Sequence, residues 1–191
     1  MPYSITKSID IDFAHHVSGH TGACINIHGH TWKFEVVLSC TQLDPMGFVA
    51  DFGWLKQNVL LPVHSYLDHA FALNEVVALK MEQELKGVGK VMFGTRKLAA
   101  GGESHLGYAL PSVQLAEVKS VVWPEGGGIK LALFDFVPTS ERLACWLWNV
   151  AQNAIAQAKL DMFRDVHCLA ARVYETLHPV AAYAEYTVRP E

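Results

Sequence analysis

Between His30 and Cys40 the chain alternates with a period of two. Trp32, Phe34, Val36, Leu38 and Cys40 take one side, and Lys33, Glu35 and Ser39 take the other. Successive side chains of a strand point to opposite faces, so this run predicts a half-buried strand of a largely antiparallel sheet. A preceding strand is predicted from Ile5 to Ala14, with Ile5, Ile9 and Ile11 available for one face. Asp44-Pro45-Met46-Gly47 reads as a turn. Asp51 to about Leu61 reads as a helix with Phe52, Leu55 and Val59 on one side and Pro62 interrupting it. A stronger helix is expected from Ser140 to about Leu160. Pro138-Thr139 precedes it, Glu141 sits in its first turn, and Leu143, Leu147, Val150, Ala151, Ala154 and Ala158 trace an apolar stripe. Cys168 to Leu177 and Ala182 to Val188 are expected strands, with Pro179 between them. The order strand, strand, helix, helix, strand, strand predicts an α+β domain.

The stretch between the two helices is long. Glu75 to Lys86 suits a short helix, Gly87 to Ser112 is Gly-rich and loop-like, and Gln114–Trp123 with Ile129–Val137 suits a hairpin around Pro124-Glu125-Gly126-Gly127-Gly128. Its helix is too short and its loop too irregular for an independent core. The expectation is therefore one domain over residues 1–191, decorated by an insertion at about 75–137.

Composition narrows the class. Of 191 residues 51% are apolar and only 18% charged, which excludes a disordered chain. Apolar area beyond what one subunit covers points to oligomerisation. A net charge of −4 offers no basic field for nucleic acid or an anionic membrane. No run reaches the roughly 18 apolar residues of a membrane span, and Met1 to Asp12 lacks the apolar middle of a signal peptide. Cys24, Cys40, Cys145 and Cys168 form no CxxC pair, so neither a disulfide framework nor a cysteine zinc knuckle is indicated. A cytoplasmic protein is expected.

Ten histidines stand against fifteen Lys plus Arg. His28-Gly29-His30 opens a predicted strand, where residues two apart share a side and both imidazoles can reach one ion. His15 closes the preceding strand, and an antiparallel neighbour can bring it to the pair. Three imidazoles without a fourth protein ligand are the pattern of a catalytic zinc site, whose open position takes water or substrate; the plain alternative is a chance HxH in a His-rich chain. Cys24, four residues before His28, is either an inert thiol or one activated by a nearby cation. Asp68-His69 offers a carboxylate-oriented imidazole for acid–base work, although adjacency alone does not make the hydrogen bond. Glu175 lies between apolar neighbours on a predicted strand, either as a strand-end surface acid or as an anchor for a ligand with a row of N–H donors.

Together these pieces resemble the 6-pyruvoyltetrahydropterin synthase / 6-carboxytetrahydropterin synthase family. The matching text is Ala14-His15, Cys24-x-x-x-His28-Gly29-His30, Gly47-Phe48-Val49-Ala50-Asp51-Phe52, Leu67-Asp68-His69-x-x-x-Leu73-Asn74, Pro138-Thr139-Ser140-Glu141 and Glu175-Thr176. The blocks run in the family's order from residue 5 to about 188; any one is common, and the ordered set is specific. The resemblance implies the tunnelling fold, a four-stranded antiparallel sheet with two helices on one face, here with an inserted helix and hairpin. It implies a homo-hexamer, a dimer of trimers with active sites at subunit interfaces. By position His15, His28 and His30 correspond to the Zn2+ ligands, Cys24 to the catalytic thiol, and Asp68 with His69 to its acid–base partners. Glu175 corresponds to the carboxylate that anchors the pterin, with Thr139, Ser140 and Glu141 as a further pterin-contacting stretch.

The implied substrate is a small molecule, 7,8-dihydroneopterin triphosphate. The three residues between Cys24 and His28 match the compact spacing of 6-carboxy-5,6,7,8-tetrahydropterin synthases of queuosine biosynthesis. The alternatives are a 6-pyruvoyltetrahydropterin synthase and a pterin-binding paralogue without this turnover. The chain departs from the family at three places. His16 stands where many members have Arg, Phe13 takes the place next to Ala14 rather than two residues before it, and the 75–137 segment replaces a few residues in compact members. Lys80, Lys86, Lys90, Arg96 and Lys97 are either a triphosphate patch or a solvated charged surface.

Overall fold

The computed structural model describes residues 2–84, 96–97, 103–104, 130–160, 165–178 and 181–187. The strands are β1 (Tyr3–His15), β2 (His28–Cys40), β3 (Phe71–Asn74), β4 (Arg96–Lys97), β5 (Glu103–Ser104), β6 (Leu131–Phe134), β7 (His167–Thr176) and β8 (Ala182–Thr187). The helices are α1 (Phe52–Leu55), α2 (Leu61–Leu67), α3 (Glu75–Glu84) and α4 (Ser140–Gln157). Six strands form one sheet in the order β6-β3-β1-β2-β7-β8, and β4 pairs with β5. The α+β class holds, while the sheet is mixed and six-stranded rather than four-stranded and antiparallel, because β3 runs parallel to both β1 and β6. The chain divides into two compact units, one of Met1–Ile11, Thr31–His64 and Ser140–Glu191, the other of Asp12–His30 and Ser65–Thr139.

In the first unit β2 pairs antiparallel with β7, placing Lys33 opposite Tyr174 and Glu35 opposite Arg172, and β7 pairs antiparallel with β8. Trp32, Phe34, Val36, Leu38 and Cys40 are all fully buried, as the alternation requires. The opposite side is more covered than expected: Glu35, Val37 and Ser39 are also buried. Arg172 Nη1 donates to Glu35 Oε1 at 2.7 Å, and Ser39 Oγ donates to the Tyr3 carbonyl at 2.9 Å, which makes burial of these polar groups tolerable. Helix α4 buries Leu143, Ala144, Trp146, Leu147, Ala151 and Ile155. Val150 and Ala154 are only half-buried, and Ala158 is exposed beyond the helix end. Trp146 and Ile155 take their share of the apolar face.

Asp51 caps α1, its carboxylate accepting from Trp54 N at 2.8 Å. Pro62 does not end this helical region, which continues to Leu67. A wide π turn over Lys56–Leu60, in which Leu61 N bonds Lys56 O, precedes it. Pro62 follows that turn directly, inside an unbroken helical region, where the hydrogen-bond ladder has already shifted from its i−4 register.

In the second unit β1 pairs with β3, and β3 with β6. Phe71, Leu73, Ala78, Leu131 and Leu133 form a buried cluster, with Ala14, Val77 and Met81 against it. The end of the expected insertion thus enters the sheet as β6. The hairpin partner expected at Gln114–Trp123, the loop at Gly87–Ser112, and Lys86 and Lys90 lie outside the described residues, as do the side chains of Arg96 and Lys97. No helix among the described residues is long and apolar enough to cross a membrane.

Candidate metal centre and acid–base pair

His15 is the last residue of β1 and falls on the same side as buried Ile11 and Phe13, so its ring is 1% exposed. His28 and His30 open β2 on either side of Gly29, whose position a Cβ would bring to 3.3 Å from the Phe13 carbonyl. A glycine there lets the start of β2 lie close against Phe13 and Ala14. The three rings meet, with centroids 4.4 Å apart for His15–His28, 5.1 Å for His28–His30 and 5.7 Å for His15–His30. One ring nitrogen from each lies within 4.8 Å of the others.

Two backbone carbonyls set the tautomers. His15 Nδ1 donates to Pro138 O at 2.9 Å, and His28 Nδ1 donates to Asn26 O at 2.8 Å. A carbonyl can only accept, so in each neutral ring the proton sits on Nδ1 and Nε2 carries a lone pair. The two Nε2 atoms face each other at 3.0 Å. Two lone pairs at that separation repel unless a cation lies between them. Tetrahedral zinc with N ligands at about 2.0–2.1 Å holds its nitrogens about 3.3 Å apart, so the donor set fits such an ion. Backbone carbonyls of this kind are partners that commonly fix the orientation of imidazoles able to bind a metal. Sequence reasoning missed them, because a backbone acceptor leaves no signature in residue type.

Cys24 lies in the single 3-10 turn Ala23–Ile25, half-buried, and its carbonyl accepts from Val17 N at 3.0 Å. Its thiol is not one of the clustered ligand atoms. His16, which follows the first ligand candidate, has a buried Nδ1 with no hydrogen-bond partner among the described residues.

Asp68 and His69 do make the hydrogen bond that adjacency alone left open, with His69 Nδ1 2.9 Å from Asp68 Oδ2. The pair stands at the end of α2 in a tight turn where His69 has φ +56°, a conformation that side-chain-bearing residues avoid. His69 N donates to Asp12 O and Ala70 N to Leu67 O, both at 2.8 Å, which pins the turn. The His69 side chain is 67% exposed and that of Asp68 27%. The arrangement is an oriented imidazole open to solvent.

In the first unit Ser140 Oγ donates to Glu175 Oε2 at 3.1 Å, so the first residue of α4 holds the carboxylate of β7. Glu141 is exposed in the first turn of α4, where its charge complements the helix dipole. Thr139, in the second unit, is half-buried, its amide donating to Val137 O at 2.8 Å.

Residues 4–186 match the family model for 6-pyruvoyl tetrahydropterin synthase. A 6-carboxy-5,6,7,8-tetrahydropterin synthase of Haemophilus influenzae is 38% identical over 77 residues, which is 38% of this chain and 54% of that protein. The chain spans about half the length of the first relatives it matches in sequence. An uncharacterized protein of Wolinella succinogenes has a crystal structure that matches with a TM-score of 0.61 at 21% identity, covering 99% of both chains. A 6-pyruvoyl tetrahydropterin synthase of Plasmodium vivax matches with a TM-score of 0.56 at 14% identity over 98% of this chain and 99% of that one. With the family model spanning nearly the whole sequence, the chain belongs to the 6-pyruvoyl tetrahydropterin synthase family.

Proposed function

We propose that the protein is a zinc-dependent 6-carboxy-5,6,7,8-tetrahydropterin synthase that converts 7,8-dihydroneopterin triphosphate, releasing acetaldehyde and triphosphate, in queuosine biosynthesis. The observation that carries this reading is the approach of His15 Nε2 and His28 Nε2 to 3.0 Å beside His30. Bound zinc would supply Lewis acidity to the side-chain oxygens of the substrate. His15, His28 and His30 would hold it.

The remaining steps belong to the chain. His69, steered by Asp68, takes and returns a proton at its exposed imidazole nitrogen Nε2. Cys24 Sγ is the second proton-transfer group. Glu175, held by Ser140, binds the N–H edge of the pterin, and Thr139 and Glu141 complete that subsite. A homo-hexamer with active sites shared between subunits, working in the cytoplasm, completes the proposal. The carboxy product is preferred because the relatives above 30% identity carry that name, while the neighbours named for the pyruvoyl product share the fold at 14% identity.

The test is incubation of the zinc-loaded protein with 7,8-dihydroneopterin triphosphate, followed by mass analysis. A 6-carboxytetrahydropterin product with acetaldehyde is the expected result. A pyruvoyl product, or tight pterin binding without turnover, overturns the assignment.

A further inference from the structure

Lys130 is a buried cation that no functional motif includes. Its side chain is among the few buried charged groups, 5% exposed, at the start of β6. Its ammonium reaches back to the end of α2, donating to the carbonyls of Ser65, at 2.8 Å, and of Asp68. Its own carbonyl accepts from Phe71 N at 2.8 Å. One residue therefore grips both sides of the turn that carries Asp68 and His69.

The last carbonyls of a helix have no partners within it, and a cation there is favoured both by hydrogen bonding and by the helix dipole. Burial pulls the lysine's pKa down, and the negative charge of Asp68 opposes that shift. The charged ammonium makes stronger hydrogen bonds to the two carbonyls than a neutral amine would. The left-handed His69 that this turn requires is costly for a residue with a side chain and persists only where its surroundings over-determine it.

We infer that Lys130 is the positioning residue of the acid–base pair: its ammonium, bound to the Ser65 and Asp68 carbonyls, fixes the turn and thereby the Asp68–His69 hydrogen bond. The role rests on the proposed function insofar as the pair works on a substrate, and it concerns a residue contributed by the segment that compact relatives lack. Lys130 touches no reacting group itself. A misplacement of the imidazole by about 1 Å is worth about 100-fold in rate.

The experiment uses the full-length, zinc-loaded protein and compares Lys130→Met, Lys130→Arg and wild type. Lys130→Met is expected to lower kcat about 10- to 100-fold with KM and zinc content held, and Lys130→Arg, which keeps a cationic donor, to recover most of the loss. In a His69→Ala background Lys130→Met is expected to cost nothing further. A role confined to stability would instead cost the same in both backgrounds, which overturns the inference. Nitrogen-15 spectra of His69 give a readout free of turnover: the Nδ1-protonated signature of wild type is lost in Lys130→Met and regained in Lys130→Arg. An unchanged signature in Lys130→Met overturns the inference even where turnover falls. Wild-type protein that fails to turn over substrate counts against the proposed reaction, while the His69 spectra decide the role of Lys130 separately. If Lys130→Met does not fold, Lys130→Gln is read by the same spectra, with an unchanged His69 signature again overturning the inference.

Discussion

Zinc added to the metal-free protein is expected to raise its unfolding temperature by an amount that the geometry bounds. The candidate ligands come from two strands, His15 at the end of β1 and His28 with His30 at the start of β2, with His28 thirteen positions after His15. The folded chain brings one nitrogen of each within 4.8 Å of the others, whereas the unfolded chain retains only the HxH pair at close sequence range. A ligand that binds the native state alone stabilises it by about 2.7 kcal/mol at a hundredfold excess over its Kd. For a chain of this length 1 kcal/mol moves Tm by about 2–4 °C, so the expected rise is about 5–11 °C. Any affinity of the unfolded HxH pair for zinc trims that figure. Differential scanning fluorimetry or calorimetry across a zinc titration, with metal content measured in parallel, reads it out. His28→Ala is expected to abolish most of the rise. His69→Ala, outside the cluster, is expected to keep it, and magnesium, which prefers oxygen ligands, is expected to produce none. A Tm indifferent to zinc, or a His28→Ala protein with the full rise, would refute the reasoning from lone-pair opposition.

Two further outcomes follow from the first unit. Arg172 donates to Glu35 Oε1 and, through Nε, to Glu185 Oε2, while the Glu35 side chain is only 11% exposed. Arg172→Met therefore leaves a largely buried carboxylate with Lys33 at 3.9 Å as its remaining ion-pair partner among the described residues; urea unfolding should show a loss of about 1–3 kcal/mol, less than for a fully buried pair, and an unchanged midpoint would contradict it. Burial pushes the Cys168 thiol from its ordinary pKa near 9 up to about 12. Because the folded state holds this proton more tightly, the thiol's contribution to stability is complete below about pH 9 and is lost as pH rises toward 12. Replacing it as Cys168→Ala should flatten that alkaline slope in chemical denaturation measured from pH 8 to 11, and an equally steep slope would sink the argument.

How legible the molecule was depended on which physical signal each element leaves. Strand β2 was readable because its period-two pattern is strong, and α4 because its apolar stripe repeats at helical spacing. Strands β3 and β6 were not read as a pair. They are four-residue strands, Phe71-Ala72-Leu73-Asn74 and Leu131-Ala132-Leu133-Phe134, apolar and buried at every position but Asn74. A parallel strand covered on both faces shows no alternation, so periodicity cannot distinguish it from any short apolar segment. Pro62 misled for the opposite reason: its local chemistry is disruptive, but the π turn directly before it shifts the hydrogen-bond ladder and the helical region continues. In the candidate site the residue types were legible and the orientations were not. The rings of His15 and His28 are aimed by the carbonyls of Pro138 and Asn26, and Glu175 is held by Ser140, 35 positions away.

The segment at 75–137 offers a last test, since the compact family pattern suggests it is dispensable and the packing says otherwise. Phe71 and Leu73, just before it, are 5% and 0% exposed, and they pack on Ala78, Leu131 and Leu133, which lie inside it. Replacing 75–137 by a short turn removes β6, the partner of β3 across its whole length. Re-exposing two large apolar side chains costs about 1.5–3 kcal/mol each. The same deletion removes the Leu133 carbonyl that accepts from Tyr66 Oη at 2.7 Å. The loss for the pair of apolar side chains, about 3–6 kcal/mol, is comparable to the whole stability of a marginal domain, about 5 kcal/mol. The deletion variant is therefore expected to be insoluble or to lack a cooperative thermal transition, and Leu133→Ala to lose about 2–5 kcal/mol on the same grounds. A deletion variant that melts cooperatively near the wild-type temperature would show that β3 is held by something other than its parallel neighbour.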